Sequence, residues 1–238
     1  MSTFYVLIVA AGNSSRLGAD RCPKQYLHIN HRAVLAHTIV NMNSGYGYPT
    51  RVVIKKGHEE LYKNSMLSLP KGASYSLMAP VYGGTRRQDS VRIGLESIED
   101  EDPEFVVIHD ACRPFASLPY IDAVLQRLAD HKGVVPAVVP IDTISSINNG
   151  TLEGTLDRES LRVIQTPQIF RYKDILSCHR KVYDEDPERY FTDESSVLIA
   201  CGESVAVIEG DYNNFKITTA QDVVRAAEYM STYTPAVL

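Results

Sequence analysis

The residues from Phe4 to Ala11, F-Y-V-L-I-V-A-A, form a continuous apolar run that a glycine ends at Gly12. A strand that is covered on both faces has this pattern, because neither of its two sets of side chains meets water. The run therefore predicts a buried strand of a parallel sheet, followed by a loop that begins at Gly12.

Further apolar runs of strand length alternate with segments whose apolar residues recur at helical spacing. The strand candidates are 51–54, 105–109, 134–139 and 205–208, with 75–78 as a shorter one, and the helix candidates are 34–42, 91–98, 121–128, 173–183, 193–201 and 220–229. This alternation predicts an α/β fold, a Rossmann-like, mostly parallel sheet sandwiched by helices, with ligands bound at the carboxyl ends of the strands. We expect a single domain over residues 1–238.

One stretch breaks the alternation. Two short β-prone segments between 143 and 155 flank Asn148-Asn149-Gly150, and Asn and Gly tolerate the positive φ angles of a hairpin turn. A hairpin that projects into solvent has unpaired edges and is marginally stable alone. We therefore predict that residues 141–163 form an arm that packs on a partner subunit, with a plain surface hairpin as the alternative.

Charge and composition exclude several classes of protein. The chain has 24 basic and 29 acidic residues, a net charge of -5, whereas nucleic-acid and membrane-surface proteins rely on a positive field. No apolar run reaches the roughly 18 residues of a membrane-spanning helix, and no signal-peptide pattern precedes the first strand. We expect a cytoplasmic protein whose four scattered cysteines are reduced thiols.

The loop after the first strand predicts a phosphate site. It reads A-A-G-N-S-S-R-L-G from Ala10 to Gly18, and C-P-K-Q-Y-L begins at Cys22. Small residues between a strand and a helix leave backbone N–H groups free for phosphate, and Arg16 and Lys24 add positive charge. The alternative is a tight turn without a ligand. Neither the dinucleotide-binding glycine pattern nor a Walker A loop is present, which argues against a Rossmann-type oxidoreductase.

Two later motifs point to the same edge of the sheet. In G-G-T-R-R-Q-D-S-V, which begins at Gly83, the glycine pair predicts close approach of the backbone to a ligand such as a base, and Asp89 or Ser90 is expected to cap the following helix. In H-D-A-C-R-P-F, Asp110 ends a strand and is a natural Mg²⁺ ligand beside phosphates. The alternative for Asp110 is a loop ion pair with Arg113.

Together with D-R-x-x-L, Q-T-P-Q-x-F, T-D-E-S-S and N-x-K-I-T-T further along the chain, these motifs resemble the 2-C-methyl-D-erythritol 4-phosphate cytidylyltransferases in order and spacing. The resemblance covers about residues 4 to 230. It implies CMP transfer from CTP to methylerythritol phosphate with Mg²⁺, release of pyrophosphate, a place in non-mevalonate isoprenoid synthesis, and a homodimer. Some relatives are fused to a cyclodiphosphate synthase domain, which we do not expect within these 238 residues.

The resemblance also implies roles for individual residues. The catalytic residues would be Arg16 and Lys24, which stabilise the transition state, and Arg158 and Lys216, which position the methylerythritol phosphate. The nucleotide would bind against Ala10, Ala11, Gly12, Asn13, Gly83, Gly84, Ser90, Asp110 and Ala111. The acceptor would be bound by Arg113, Thr143 and Thr166, and the metal by Asp110. In this family the arm contributes its Thr and Arg to the neighbouring subunit's pocket.

Two departures from the family pattern keep other functions open. Thr85 stands where many members have an acidic residue, and Ile141 stands where a basic residue is common. The second departure resembles the ribitol-5-phosphate cytidylyltransferases, although L-D-R-E and F-T-D-E-S-S favour the methylerythritol enzymes. A non-catalytic nucleotide-binding protein is the remaining alternative, and the intact set of charged motif residues argues against it.

Overall fold

The computed structural model describes residues 3–12, 22–43, 46–116, 118 and 121–232. The strands are β1 (Phe4–Ala10), β2 (His28–Ile29), β3 (Arg32–Ala33), β4 (Thr50–Ile54), β5 (Val81–Tyr82), β6 (Phe105–Asp110), β7 (Gly133–Val138), β8 (Ser145–Asn148), β9 (Thr151–Thr155), β10 (Val163–Ile164), β11 (Gln168–Arg171) and β12 (Val205–Glu209). The α-helices are α1 (Val34–Asn43), α2 (Glu59–Leu67), α3 (Arg87–Glu96), α4 (Ile121–Asp130), α5 (Tyr172–Glu185), α6 (Glu194–Ala200) and α7 (Ala220–Thr232).

The main sheet is mostly parallel, as the alternating sequence pattern predicts. Its strand order is β10-β7-β11-β6-β1-β4-β5, and β12 pairs with β7. The central strand β1 is parallel to β4 on one side and to β6 on the other. Because β1 and β6 run in the same direction, the loops that follow them lie together at one edge of the sheet.

Helices cover both faces of the sheet. Val6 and Ile8 of β1 belong to a buried cluster with α1, α2 and α4, whereas Leu7 belongs to a second cluster with α3, α5 and α6. All three side chains are fully buried, which explains why β1 is an unbroken apolar run rather than an alternating one. The α/β fold predicted from the sequence is confirmed, and no helix in the described ranges is long and apolar enough to span a membrane.

Strand β11 was not predicted. It lies antiparallel between β6 and β7, and its four residues Gln168–Arg171 include two polar ones. So short a segment has no clear periodicity, and only its long-range pairing makes it a strand. It brings the Q-T-P-Q-x-F motif next to the end of β6.

The prediction of a short strand at 75–78 is wrong. Leu77 forms an isolated parallel bridge with Thr50, and the strand beside β4 begins only at Val81. Between them lies Pro80, which has no N–H to donate to a strand ladder. Pairing with β4 therefore stops and begins again after the proline.

The hairpin predicted between 143 and 155 is present. Strands β8 and β9 pair with each other and are not hydrogen-bonded to the main sheet. Asn149 and Gly150 form the turn with φ angles of 47° and 80°, as the Asn-Gly sequence predicts.

A buried histidine on α5 makes the fold sensitive to acid. His179 is 2% exposed, and its Nε2 atom has no hydrogen-bond partner among the described residues. Burial lowers the pKa of His179 from 6.5 to about 3. The unfolded chain therefore takes up a proton below about pH 6.5 while the native chain does not, so native stability falls as the pH drops through this range.

We predict that His179→Leu removes this dependence, because leucine cannot be protonated. Between pH 8 and pH 5 the unfolding free energy of the wild type should fall by about 2 kcal/mol more than that of the variant. Urea unfolding at the two pH values measures this difference. Ser177→Ala changes an exposed residue of the same helix that does not titrate; it is the control and should leave the pH dependence unchanged. Equal pH dependence in His179→Leu and the wild type would contradict the prediction.

Candidate active site

Two neighbouring cavities open where β1 and β6 end. The central cavity, about 420 Å³, is lined by the loops after these strands and by the start of α3. The side cavity, about 240 Å³, is lined by the segment before β11 and by the start of α6. Arg87, Asp110 and Lys216 line both cavities, so a ligand in one would lie close to a ligand in the other.

A buried glutamine holds the loop after β1 in place. The Gln25 side chain is 1% exposed, and its Nε2 donates to the carbonyls of Ala10 at 2.7 Å and Gly12 at 2.9 Å. This fixes the start of the loop against the short 3-10 helix that carries Lys24. The sequence indicated the P-K-Q-Y motif but not the role of its glutamine.

The predicted nucleotide residues of this loop lie at the central cavity. Ala10, Ala11, Gly12 and Lys24 line it, as does Ala111 after β6. Asn13 and Arg16 lie outside the described residues.

The glycine pair has a packing role that the sequence did not indicate, and the approach of a base to it stays a prediction. A Cβ at Gly83 would lie 2.6 Å from Ser90 Oγ and 2.7 Å from the Ala11 Cβ, and a Cβ at Gly84 would lie 2.5 Å from the Asp89 Cβ. Packing within the chain thus requires glycine at both positions, whether or not a ligand lies against them. Gly84 and Ser90 line the central cavity, whereas Gly83 is not part of its lining.

Asp89 caps α3 as the sequence predicts, although it does so from inside the first turn, as the third residue of a capping box. The helix begins at Arg87 with Arg86 as its N-cap. Asp89 therefore lies inside the first turn, where it accepts a hydrogen bond from the Arg86 N–H at 3.1 Å. Ser90 lies one residue further and donates to the Arg86 carbonyl, so neither residue is the N-cap.

The Asp110 carboxylate is held by two cations. Its Oδ1 accepts a hydrogen bond from Arg87 Nε at 3.0 Å, and its Oδ2 accepts one from Lys216 Nζ at 2.8 Å. Burial by itself raises the pKa of Asp110, but the charges of Arg87 and Lys216 outweigh it and hold that pKa well below its ordinary value. Asp110 is therefore ionised at neutral pH.

Arg87 is fixed in turn by a buried glutamate. Its Nη1 donates to both carboxylate oxygens of Glu194, at 2.7 and 2.9 Å, and Glu194 is fully buried at the start of α6. Sequence reasoning missed this pair. Arg87 lies within the glycine-pair motif and Glu194 within T-D-E-S-S, so the motifs contained the signal, but nothing in a sequence joins residues 107 positions apart.

Arg113 and Thr166 line the side cavity. The Arg113 guanidinium lies 3.7 Å from Asp110 Oδ2, so the loop ion pair weighed as an alternative exists, but it is longer than the contacts that Asp110 makes with Arg87 and Lys216. Thr166 Oγ1 accepts a hydrogen bond from the Asp110 N–H at 3.1 Å and lies 2.8 Å from His109 Nδ1. Two of the three predicted acceptor-binding residues, Arg113 and Thr166, are thus next to Asp110.

The two arm residues of the predicted site lie elsewhere. Thr143 and Arg158 line neither cavity. Arg158 is exposed, and its guanidinium donates to the carbonyl of Ile141 at 2.7 Å. Within one chain, these two side chains do not complete the site.

Asp110 fits a metal that arrives with a nucleotide. It is the only carboxylate among the described residues that line the central cavity, and each of its oxygens keeps a lone pair beyond the bond it accepts. Across the described ranges there is no group of three or more His, Cys, Asp or Glu side chains that could hold a metal alone. Mg²⁺ takes one or two carboxylates and completes its shell with phosphate and water, and the lining allows such a site.

Comparison with known proteins places the chain among enzymes. The family model for IspD, 2-C-methyl-D-erythritol 4-phosphate cytidylyltransferase, matches residues 4–232. The chain is 43% identical over 220 residues to the bifunctional enzyme IspD/IspF of Wolbachia pipientis wMel, which covers 91% of this chain and 53% of that protein. It is 36% identical over 234 residues to the 2-C-methyl-D-erythritol 4-phosphate cytidylyltransferase of Desulforamulus reducens, which covers 97% of both.

A solved structure agrees with these matches. The 4-diphosphocytidyl-2C-methyl-D-erythritol synthase of Anaerococcus prevotii is similar with a TM-score of 0.79 and 28% identity over 97% of this chain and 96% of that one. The chain spans about half the length of the bifunctional relatives that it matches. The family resemblance found in the motifs is confirmed along nearly the whole chain, which therefore belongs to the IspD family of 2-C-methyl-D-erythritol 4-phosphate cytidylyltransferases.

Proposed function

We propose that this chain transfers CMP from CTP to 2-C-methyl-D-erythritol 4-phosphate, giving 4-diphosphocytidyl-2-C-methyl-D-erythritol and pyrophosphate in the non-mevalonate isoprenoid pathway. The observation that carries the proposal is the pair of adjoining cavities that share Asp110 and Lys216. A nucleotide in the central cavity and a phosphorylated acceptor in the side cavity would meet at these side chains. The family supplies the identity of the two substrates.

The reaction brings two anions together, so the protein must neutralise charge and align the reactants. An oxygen of the acceptor phosphate attacks the α-phosphorus of CTP, and pyrophosphate leaves on the opposite side. Lys24 lines the central cavity, where with Arg16 it would stabilise the charge of the transition state. Lys216 and Arg113 line the side cavity and would hold the acceptor phosphate.

The chemistry needs neither a general base nor a protein nucleophile. A phosphate monoester is largely ionised at neutral pH, so its attacking oxygen carries no proton that must be removed. No histidine is among the described residues that line the two cavities. Cys112 lines the central cavity, but burial raises the pKa of its thiol to about 11. These features favour direct transfer between the two substrates.

Mg²⁺ is the proposed metal. Asp110 would hold it together with oxygens of the triphosphate, and the ion would neutralise charge on the phosphates when bound. The contacts from Arg87 and Lys216 keep the Asp110 carboxylate ionised and in one orientation. Asp110 can therefore act as a metal ligand without losing a proton first.

We further propose that the chain is one domain whose arm, residues 141–163, packs on a second copy of the chain. Large apolar side chains are exposed along it, with Ile141 at 71%, Ile147 at 67% and Leu152 at 70%. Ile147 and Leu152 lie opposite each other across the hairpin, and exposed apolar side chains that lie side by side are typical of an interface. A partner's arm would then bring Thr143 and Arg158 to the cavities that they do not reach in their own chain.

Pyrophosphate release tests the proposed activity. The assay combines the protein with CTP, Mg²⁺ and either methylerythritol phosphate or ribitol phosphate, with ATP, GTP and UTP as nucleotide controls. Release with CTP and methylerythritol phosphate is expected. Release only with ribitol phosphate would identify the chain as a ribitol-5-phosphate cytidylyltransferase, the alternative that Ile141 favours. No release with either acceptor would favour a non-catalytic nucleotide-binding protein.

Removing either transition-state cation should slow the reaction without unfolding the protein. We expect Arg16→Ala and Lys24→Ala each to lower kcat by about 10² to 10³, the usual loss for one preorganised donor. Steady-state kinetics give the change in kcat, and circular dichroism checks the fold. Lys71→Ala, at an exposed lysine that lines neither cavity, is the matched control. A circular dichroism spectrum that shows Lys24→Ala to be unfolded would contradict the catalytic role of Lys24.

Mixed dimers test whether the arm crosses to a partner. If Arg158 serves the neighbouring subunit and Lys24 serves its own, a dimer of one Arg158→Ala chain and one Lys24→Ala chain has one complete site. Random assembly of the two inactive variants should restore about a quarter of wild-type activity, because about half of the dimers are mixed and each has one intact site of two. Refolding or co-expression provides the exchange of subunits.

The same variants mixed without subunit exchange are the control and should stay inactive. If refolded or co-expressed mixtures contain mixed dimers yet are no more active than the separate variants, the arm does not supply Arg158 to its neighbour.

A further inference from the structure

His109 lies beside Asp110 on β6, fully buried, and has no part in the proposed chemistry. Both of its ring nitrogens have close neighbours. Nδ1 lies 2.8 Å from Thr166 Oγ1, and Nε2 lies 3.0 Å from the carbonyl oxygen of Arg113. Thr166 and Arg113 are two of the residues assigned to the acceptor, and one buried imidazole contacts both.

The contact with Arg113 decides which nitrogen carries the proton. A carbonyl oxygen can only accept a hydrogen bond, so Nε2 must be the donor. Protonation of both nitrogens is disfavoured, because the ring is fully buried and its two partners, a carbonyl and a hydroxyl, carry no negative charge that could pair with an imidazolium. At neutral pH the ring is therefore neutral, with its proton on Nε2 and a lone pair on Nδ1.

The unprotonated Nδ1 of His109 in turn orients the Thr166 hydroxyl. A hydroxyl has one proton and two lone pairs. Its proton points to His109 Nδ1, and one lone pair accepts the hydrogen bond from the Asp110 N–H at 3.1 Å. One lone pair remains, and no proton remains with which Thr166 could bind a ligand.

We propose that His109 is a positioning residue that makes Thr166 a pure hydrogen-bond acceptor, so that Thr166 binds a hydroxyl group of the acceptor substrate and not its phosphate. The proposal rests on the proposed function, because it assumes that the acceptor occupies the side cavity. An ionised phosphate oxygen has no proton to donate to the lone pair of Thr166, so the two could not form a hydrogen bond. The cations Arg113 and Lys216 line the same cavity and suit the phosphate.

This arrangement predicts how the side cavity selects its acceptor. A hydroxyl that donates to Thr166 is bound, whereas a hydrogen atom or a carbonyl group at the same place has no proton to donate. Losing one hydrogen bond between neutral groups costs up to about 1.4 kcal/mol, which corresponds to an affinity for the acceptor that is about tenfold lower.

A double-mutant cycle tests the proposal. Thr166→Val keeps the shape of the side chain but removes the hydroxyl, and it should raise KM for the acceptor about tenfold while leaving KM for CTP unchanged. Thr166→Ser restores the hydroxyl and should restore KM. The acceptors are methylerythritol phosphate and analogues in which one hydroxyl at a time is replaced by hydrogen. For one of these analogues the effect of Thr166→Val should vanish, and an equal effect for all of them would overturn the proposal.

The position of the His109 proton provides a test that does not depend on activity. In ¹⁵N NMR of the ligand-free protein at pH 7, we expect the neutral ring to carry its proton on Nε2. A proton on Nδ1 would overturn the proposal even in an active enzyme, since Thr166 could then donate to a ligand. If the enzyme turns over no acceptor while the proton is on Nε2, the proposed function fails and the geometry of His109 stands.

Discussion

The Asp110 carboxylate is 7% exposed at the end of β6, and the candidate site depends on keeping it ionised there. A buried charge without partners is costly, and groups in that situation neutralise instead. Arg87 and Lys216 prevent this by donating one hydrogen bond to each oxygen. The two cations come from α3 and from the segment after β12, so the carboxylate joins three distant parts of the chain at the boundary between the two cavities.

The fold explains why these parts meet. Parallel strands on both sides of β1 end at one edge of the sheet, and the antiparallel β11 brings Thr166 to the same edge beside β6. Glu194, at the start of α6, accepts a hydrogen bond from Arg87 Nη1 and so holds the guanidinium that contacts Asp110. Asp110, Arg87 and Lys216 are thus oriented by charged partners before any ligand binds. Such preorganisation is what electrostatic catalysis requires, because the protein need not rearrange as charge develops.

Much of this architecture could be predicted from local pattern. A few neighbouring residues are enough to predict strand β1 from its apolar run, the turn at Asn149-Gly150, and the helices from their periodicity. Strand β11 does not, since its pairing depends on β6 and β7 far away in sequence. For the same reason the motifs indicated that Asp110 and Lys216 matter, but not that they contact each other. The sequence also singled out the glycine pair, but it did not indicate the packing of these glycines against Ser90 and Asp89.

In the proposed reaction, CMP passes directly between two substrates that meet at Asp110 and Lys216, with no covalent bond to the protein. The stereochemical course at the α-phosphorus tests it most directly. CTP that carries sulfur at the α-phosphorus in one known configuration is the substrate, and the configuration of the product is determined by NMR. A single in-line displacement inverts the phosphorus centre, and inversion is the result that this account predicts. Retention would require two displacements through a nucleotidyl-protein intermediate, and would contradict it.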